Sequence, residues 1–178
     1  MNTYIVLLRG INVGGHKKVP MAELRELLSK CGFNAVKTYI QTGNIILQSS
    51  EDNHNNVEQM VHQSILDHFG FDVPVIAKTR DQLIKILDAC PFSEIKKEQC
   101  YFVLLSALPE LKSLKEVEHI SYDNEEYQIV NDCLYFFTAA GYGKSKFNMN
   151  MFEKKLDVRA TSRNFKTMVK LIDLSTVV

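Results

Sequence analysis

The sequence predicts an α+β fold made of two ferredoxin-like subdomains, each a split βαβ, packed as one unit. Three observations predict it. Short apolar runs typical of buried strands alternate with apolar stripes at helical spacing. Two tight-turn signals, Thr42-Gly43 and Asn131-Asp132, each join a pair of strands. The order of elements is nearly the same in both halves, so we place the subdomain boundary between residues 1–79 and residues 80–178.

The first half has the element order β-α-β-β-α-β. A strand covers residues 3–9, and a helix follows Pro20, a residue that the first turn of a helix tolerates. Gly32 ends this helix. The runs AVKTYIQ and NIILQS form a hairpin, a second helix follows, and the strand DVPVIAK comes last. The apolar stripe that predicts the second helix comprises Val57, Val61, Ile65 and Phe69.

The second half repeats this order with one difference. Thr79 and Gln82 form a capping box for a helix that Pro91 closes. The strand CYFVLLS, a helix after Pro109, the strands EYQIV and LYFFT and another helix follow. A last helix, capped by Ser162, occupies the place where a sixth strand would complete the ferredoxin-like order.

Composition places the chain among ordinary globular proteins. Hydrophobic residues make up 46% and charged residues 24% of the sequence. No apolar run approaches the roughly 20 residues that span a bilayer, and the N-terminus lacks a signal-peptide pattern. We therefore expect a cytoplasmic protein without membrane association. The four cysteines show no CxxC spacing and the five histidines no HExxH motif, so we expect neither a metal site nor a cofactor.

The formal net charge is zero, but the charges are unevenly distributed. Residues 51–139 are acidic, whereas residues 1–50 and 140–178 are basic. A neutral total argues against a bulk nucleic-acid coat protein, and it leaves room for a local anion site where the basic ends meet. Two solvated faces of opposite sign are the alternative explanation.

Three loops carry basic residues and lack acids, and a neutral polar turn is a fourth candidate. The first, RGINVGGHKK, lies between a strand and a helix, where free backbone N–H groups suit an anion. It nearly matches the P-loop pattern, but His16 interrupts the pattern and no Ser or Thr follows the lysine. The loops GYGKSK and TSRN and the turn YIQTGN supply the remaining residues. The predicted ligand-binding residues are Arg9, Gly10, Asn12, Gly14, Gly15, Lys17, Thr42, Asn44, Lys144, Ser145, Lys146, Arg163 and Asn164.

The stretches LLRGINVGG, YIQTGN, Pro91-Phe92, GKSKF and TSRNFKT, in this order, resemble a bacterial family of uncharacterised proteins, the domain of unknown function 1697 family. The resemblance covers essentially the whole chain. It implies two ferredoxin-like subdomains in one chain and implies no established activity. The sequence departs from the usual family pattern at Thr42, Cys90, Phe165 and Asp157, the last of which replaces a glycine. These departures leave the basic and glycine residues of the predicted site intact.

The function favoured by these observations is binding of a phosphorylated or otherwise anionic small molecule at the glycine and basic loops. Whether the site is also catalytic stays open, because no residue qualifies as general base or nucleophile. Two alternatives remain: a ligand-free regulatory or assembly module, and weak binding of RNA or single-stranded nucleic acid by Tyr39, Tyr135 and Phe137 if these aromatics are exposed. The sequence does not indicate the oligomeric state.

Overall fold

The computed structural model describes residues 1–176. The chain divides into two compact units. The first unit comprises Met1–Lys85 together with the chain from Val169 onward, and the second comprises Ile86–Met168. The proposed boundary after residue 79 stays a prediction.

The first unit contains a four-stranded antiparallel sheet of order β2-β3-β1-β4. This is the strand order of a ferredoxin-like fold, and the predicted element order of this half is confirmed. The elements are β1 (Asn2–Leu8), α1 (Met21–Lys30), β2 (Asn34–Tyr39), β3 (Asn44–Ser49), α2 (His54–Phe69), β4 (Val75–Thr79) and α3 (Arg80–Asp88).

Alternation along the central strand decides which side of this sheet carries the helices. Tyr4, Val6 and Leu8 of β1 project from one face and form a buried cluster with the apolar stripes of α1 and α2. The stripe of α2 ends at Gly70, whose φ of +78° closes the helix in the left-handed conformation. The capping box predicted for α3 is present, since Thr79 N–H donates to Gln82 Oε1 and Gln82 N–H donates to Thr79 Oγ1.

The second unit has the sheet order β6-β7-β5-β8, also antiparallel. Aromatic residues dominate its core: Phe136, Phe147 and Phe152 stack with ring centroids 4.5 and 4.9 Å apart. The elements are α4 (Glu94–Lys97), β5 (Cys100–Leu105), α5 (Leu111–Val117), β6 (Glu125–Val130), β7 (Cys133–Thr138), a 3-10 turn (Tyr142–Lys144), α6 (Met149–Leu156), β8 (Ala160–Asn164) and the start of α7 (Phe165–Leu174), whose residues from Val169 onward belong to the first unit.

The structure corrects the predicted end of the second half. The sixth element of the ferredoxin-like order is present as a fourth strand: β8 pairs with β5, and α7 begins only at Phe165. Ser162 therefore lies within a strand, and the cap of α7 is Asn164, whose Oδ1 accepts from Thr167 N–H. The sequence ATSRN did not predict a strand because it has no apolar alternation. Its pairing with β5 stabilises the strand, although local propensity does not favour one.

Both units therefore have one element order, β-α-β-β-α-β-α, and their ladders have matching register. Leu8 of β1 pairs with Val75 of β4, and at the equivalent position Leu105 of β5 pairs with Ala160 of β8. From these pairs, Lys78 occupies in the first unit the position that Arg163 occupies in the second. Both are buried basic residues, each one residue before the cap of the following helix.

Candidate functional site

Three connections of the first unit meet at one end of its sheet. They are the loop after β1 (residues 9–20), the β2–β3 turn (residues 40–43) and the segment before β4 (residues 70–74). Two backbone bonds join them: Leu8 N–H donates to Gly43 O at 2.8 Å, and Arg9 N–H donates to Pro74 O at 3.1 Å. We refer to these three connections as the loop end.

The glycine-rich stretch forms a small hairpin. His16 N–H donates to Val13 O and Asn12 N–H donates to Lys17 O, so Gly14 and Gly15 occupy the tip. Both glycines have positive φ, +57° and +79°, as a type I′ turn requires at its two central positions. The glycines therefore serve the turn, and the loop does not wrap around an anion as a P-loop does.

Asn12 fixes this hairpin to the rest of the loop end. Its side-chain amide donates to Val19 O at 3.0 Å and to Gln41 O at 2.9 Å, and its Oδ1 accepts from Val19 N–H at 2.8 Å. Both N–H groups and the oxygen of this amide are thus occupied by the protein. Asn12 positions the loop.

Asn44 has a similar structural role in the β2–β3 turn. Its side chain is fully buried and donates to Tyr39 O and to Thr42 Oγ1. Gly43 beside it has a φ of +76°, and a Cβ there would lie 2.6 Å from Leu8 Cβ. Only glycine allows the turn to approach β1 this closely.

Backbone strain is concentrated at the loop end. Asn12, Lys17 and Ile40 all have left-handed φ values between +46° and +56°. For Ile40, a β-branched residue that is 49% exposed, this conformation is a genuine outlier. Val13, at the hairpin, is likewise 64% exposed. Strain of this kind tends to occur at functional sites.

The charged side chains of the loop end are mostly basic. Arg9 is half-buried, His16 and Lys18 are exposed, and Lys17 Nζ donates to the carbonyl oxygen of Asp72. Oδ1 of the Asp72 carboxylate lies 2.6 Å from His62 Nε2, within hydrogen-bonding distance. Sequence reasoning missed this aspartate, because nothing local connects residue 72 with the loop after β1.

The predicted residues of the second unit lie on different faces of its sheet. Lys144, Ser145 and Lys146 belong to the connection from β7 to α6, where Tyr142 packs on Tyr101 with ring centroids 4.8 Å apart. Tyr101 faces the cluster that includes α6. Arg163 pairs in register with Phe102, the neighbour of Tyr101, so its side chain projects from the opposite face.

The connection from β7 to α6, which carries Lys144 and Lys146, is also less basic than its sequence indicates. Lys146 N–H donates to Glu125 Oε1 at 3.1 Å, and Lys146 Nζ lies 3.8 Å from Asp123 Oδ2. Ser145, a residue type that often caps helices, does not cap α6. It accepts from Phe147 N–H, while Asn148 Oδ1 accepts from Met151 N–H and caps the helix.

Arg163 is buried, with 8% of its surface exposed. Its guanidinium donates to Thr161 Oγ1 at 2.9 Å and to Ser162 O at 2.8 Å. Burial lowers the pKa of Arg163 to about 10, so it remains charged at neutral pH. It lies within a strand, and the predicted position in the first turn of a helix was wrong.

The aromatic surface required for nucleic-acid stacking is not present as predicted. Tyr135 is 1% exposed and its hydroxyl donates to Ile86 O at 2.7 Å. Phe137 is half-buried, with Lys96 Nζ 5.1 Å from its ring centroid. Within residues 1–176, no helix is long and apolar enough to cross a membrane, and no group of three or more His, Cys, Asp or Glu side chains is placed to hold a metal ion.

The sequence model of one protein family, described as protein of unknown function (DUF1697), matches residues 1–135. The chain belongs to this family. The match includes the whole loop end and ends within β7. Membership in the family agrees with the two ferredoxin-like units and assigns no activity.

A solved structure, that of the conserved bacterial protein SP0830 from Streptococcus pneumoniae, is similar to this chain over its full length. The TM-score is 0.79 at 25% sequence identity, and the alignment covers 99% of each chain. None of the curated proteins compared with this chain matches it. The comparisons thus support the fold and the family.

Proposed function

We propose that this chain is a cytoplasmic protein whose first unit binds a phosphorylated or otherwise anionic small molecule at the loop end. The binding groups are the Arg9 guanidinium, the N–H groups of Gly14 and Gly15, and the Lys17 ammonium, with the Thr42 hydroxyl on the turn. Asn12 and Asn44 hold these segments in place. No disulfide joins the four cysteines within residues 1–176, which favours a reducing compartment.

The observation that carries this proposal is the strained hairpin tip. Among the described residues, the N–H groups of Gly14 and Gly15 donate to no backbone carbonyl, and His16 and Lys18 flank them with exposed basic side chains. Left-handed backbone at Asn12, Lys17 and Ile40 has an energetic cost. A ligand that accepts the free N–H groups would explain why that cost is maintained.

Gly10, Lys144, Ser145, Lys146, Arg163 and Asn164 stay predicted ligand residues from the sequence. The proposal does not depend on them. Gly10 has a φ of +68° with open space around it, so its conformation is compatible with either a turn or a ligand contact.

The test is a titration with inorganic phosphate, ribose 5-phosphate and AMP, followed by ¹⁵N chemical shifts and by melting temperature. We expect the Gly14 and Gly15 amides to shift first, and a ligand at 100 times its Kd to stabilise the fold by about 2.7 kcal/mol. Added salt should weaken the effect. Lys17→Gln, which removes a proposed binding group, should reduce affinity, whereas the control variant Lys112→Gln, on α5, should not. Shifts that avoid residues 9–18, or equal effects of both variants, would refute the site.

A second candidate is an assembly module, and the exposed apolar side chains favour it. Val13 is next to Asn12 in the chain, and Ile40 is next to Gln41. The side-chain amide of Asn12 donates a hydrogen bond to Gln41 O, which joins these two segments. If this surface mediates assembly, the wild-type chain should be oligomeric by light scattering and Ile40→Ser should be monomeric. A monomeric wild-type chain at high concentration would remove this candidate.

A further inference from the structure

Two cysteines of the second unit meet at the start of its central strand β5. Cys100 is the first residue of β5 and is buried, whereas Cys90 lies in the connection that follows α3 and is partly exposed. A side-chain hydrogen bond joins their two thiols. The segment between them, residues 91–99, contains the short helix α4. Two thiols placed in this way can form a disulfide when an oxidant reaches one of them.

Contacts on both sides of the partly exposed cysteine hold it against β5. On its N-terminal side, Ile86 O accepts from the Tyr135 hydroxyl at 2.7 Å. On its C-terminal side, the ring centroid of Phe92 lies 6.4 Å from that of Phe137, the residue that pairs with Cys100 in the ladder. Packing of the flanking chain on β7 therefore places one thiol beside the other.

The two thiols have different surroundings, which gives them different chemical roles. Burial raises the pKa of Cys100 to about 12, and the neighbouring Cys90 thiol adds to this shift. Cys100 therefore stays protonated at neutral pH and is a poor nucleophile, since the thiolate is the reactive form of cysteine. Cys90 is the partly exposed member of the pair, and it is the thiol that an oxidant meets first.

The remaining two cysteines lie elsewhere. Cys31 belongs to the first unit, where its Sγ accepts from Ser64 Oγ at 3.2 Å. Cys133 pairs with Leu104, four residues along β5 from Cys100. At the rise of an extended strand, this separation is about 13 Å, which is beyond the reach of a disulfide.

We propose that Cys90 and Cys100 are a reversible redox pair, and that hydrogen peroxide joins them in a disulfide that fastens residues 91–99 to β5. The pair lies in the second unit and does not depend on the anion site proposed for the first.

The oxidation has two steps. The Cys90 thiolate attacks one oxygen of the peroxide and the O–O bond breaks. Cys90 becomes a sulfenic acid, and the departing hydroxide takes up the proton that the thiol had released. The Cys100 sulfur then attacks the Cys90 sulfur, the S–O bond breaks, and the hydroxyl leaves as water with the Cys100 proton. In total, two thiols lose two electrons and two protons, and the peroxide is reduced to two waters.

The contact between the thiols keeps this oxidation reversible. A sulfenic acid beside a thiol condenses to a disulfide, whereas an isolated one can be oxidised further to a sulfinic acid, which thiols do not reduce. A dithiol reverses the disulfide by exchange and supplies the two electrons.

The experiment treats the reduced wild-type chain with a small molar excess of hydrogen peroxide, followed by trypsin digestion without reduction. We expect residues 86–96 linked to residues 98–112, lighter by two hydrogen atoms than the two separate peptides. Dithiothreitol should restore the separate peptides. Oxidation should raise the melting temperature by about 5 °C, because the closed ring from residue 90 to residue 100 reduces the entropy of the unfolded chain.

Three variants separate the pair from ordinary thiol oxidation. Cys90→Ser should abolish both the link and the rise in melting temperature. In Cys100→Ala, the Cys90 sulfenic acid should persist and react with dimedone, whereas the wild-type chain should give little adduct. Cys31→Ser is the matched control, since it removes an exposed thiol of the first unit and should leave the link unchanged. Circular dichroism before oxidation confirms that each variant is folded, and Cys90→Ser suffices if the buried substitution is not tolerated.

Three results would overturn the proposal. They are accumulation of the Cys90 sulfenic or sulfinic acid in the wild-type chain without a link to Cys100, a link that dithiothreitol does not break, and a melting temperature that oxidation leaves unchanged or lowers.

Discussion

The two units share an element order and a ladder register but differ in how the first helix covers the edge strand. In the first unit, α1 lies along β2 and closes that edge. In the second unit, α5 is shorter and packs against α6, which leaves a cavity beside β6. The same topology thus accommodates a closed edge in one unit and an open edge in the other, and the open one carries the unpartnered carboxylate oxygen of Glu125.

A second difference concerns the loop after the central strand. In the first unit it covers residues 9–20 and forms the strained hairpin, whereas in the second unit only residues 106–110 separate β5 from α5. Each unit has therefore acquired one feature that the other lacks. Substitutions at equivalent positions can show how far the similarity between the units extends.

The largest effect is expected at the buried basic residues of the edge strands. Arg163→Ala should lower the free energy of unfolding by about 3 kcal/mol, because it leaves buried polar partners without a donor and creates a void. Lys78 occupies the equivalent position in the first unit. If the two positions contribute equally to stability, Lys78→Ala should lower the free energy of unfolding by a similar amount. Urea denaturation measures both, with the exposed Lys166→Ala as control. A loss below about 0.5 kcal/mol for Arg163→Ala would show that its burial has little energetic weight.

The next effect separates two glycines that both have left-handed backbone. Gly43→Ala should cost about 2 kcal/mol, since a side chain there has a left-handed φ and meets Leu8 Cβ. Gly10→Ala, with a similar φ and no neighbour within 4 Å, should cost only about 1 kcal/mol. Thermal unfolding can rank the two variants. Equal losses would mean that conformation alone, and not the close approach to β1, requires glycine at position 43.

A smaller effect concerns the caps of the helices that follow β4 and β8. Asn164→Ala and Thr79→Ala should each cost about 1 kcal/mol, because each removes the side chain that accepts from a first-turn N–H. Ser162→Ala should be neutral or stabilising, because its hydroxyl oxygen is buried and has no hydrogen-bond partner within residues 1–176. Chemical denaturation of the three variants tests this order. Destabilisation by Ser162→Ala alone would restore Ser162 as the cap.

The smallest effect is a pH dependence at an edge strand. Glu58 accepts from Ala77 N–H on β4, and desolvation raises its pKa while that bond and Lys78 partly oppose the shift. The folded state therefore holds a proton more tightly than the unfolded state. The contribution of Glu58 to the free energy of unfolding should thus fall as pH rises from its ordinary pKa of 4.5 through the raised value.

Comparison of the wild type with Glu58→Gln across this pH range measures that contribution. The difference should be below about 1 kcal/mol, since water screens a partly buried carboxylate. On β8, Ala160 N–H donates to Glu153 Oε1, but Ala160 is equivalent in register to Val75 and not to Ala77, so the second unit has no bond at the same strand position among the described residues. A stability difference at Glu58 that rises with pH would contradict the assigned direction.

Local pattern sufficed for most of the fold. The apolar stripes of α1 and α2, the hairpin turn at Asn131-Asp132 and the capping box at Thr79 and Gln82 each depend on residues a few positions apart. Such features are visible in the sequence because their physics is local. The ferredoxin-like order also implies that the loop after β1 and the β2–β3 turn lie at one end of the sheet.

Tertiary structure decided what those residues do. β8 forms because β5 offers a ladder to a segment with no strand pattern of its own, and this pairing turns Arg163 from a helix-terminal residue into a buried strand residue. Asn12 is saturated by backbone groups up to 29 positions away. The cavity beside β6 depends on whether α5 packs on β6 or on α6. Long-range packing and hydrogen bonding determine these outcomes, because they depend on which distant groups become neighbours after the chain has folded.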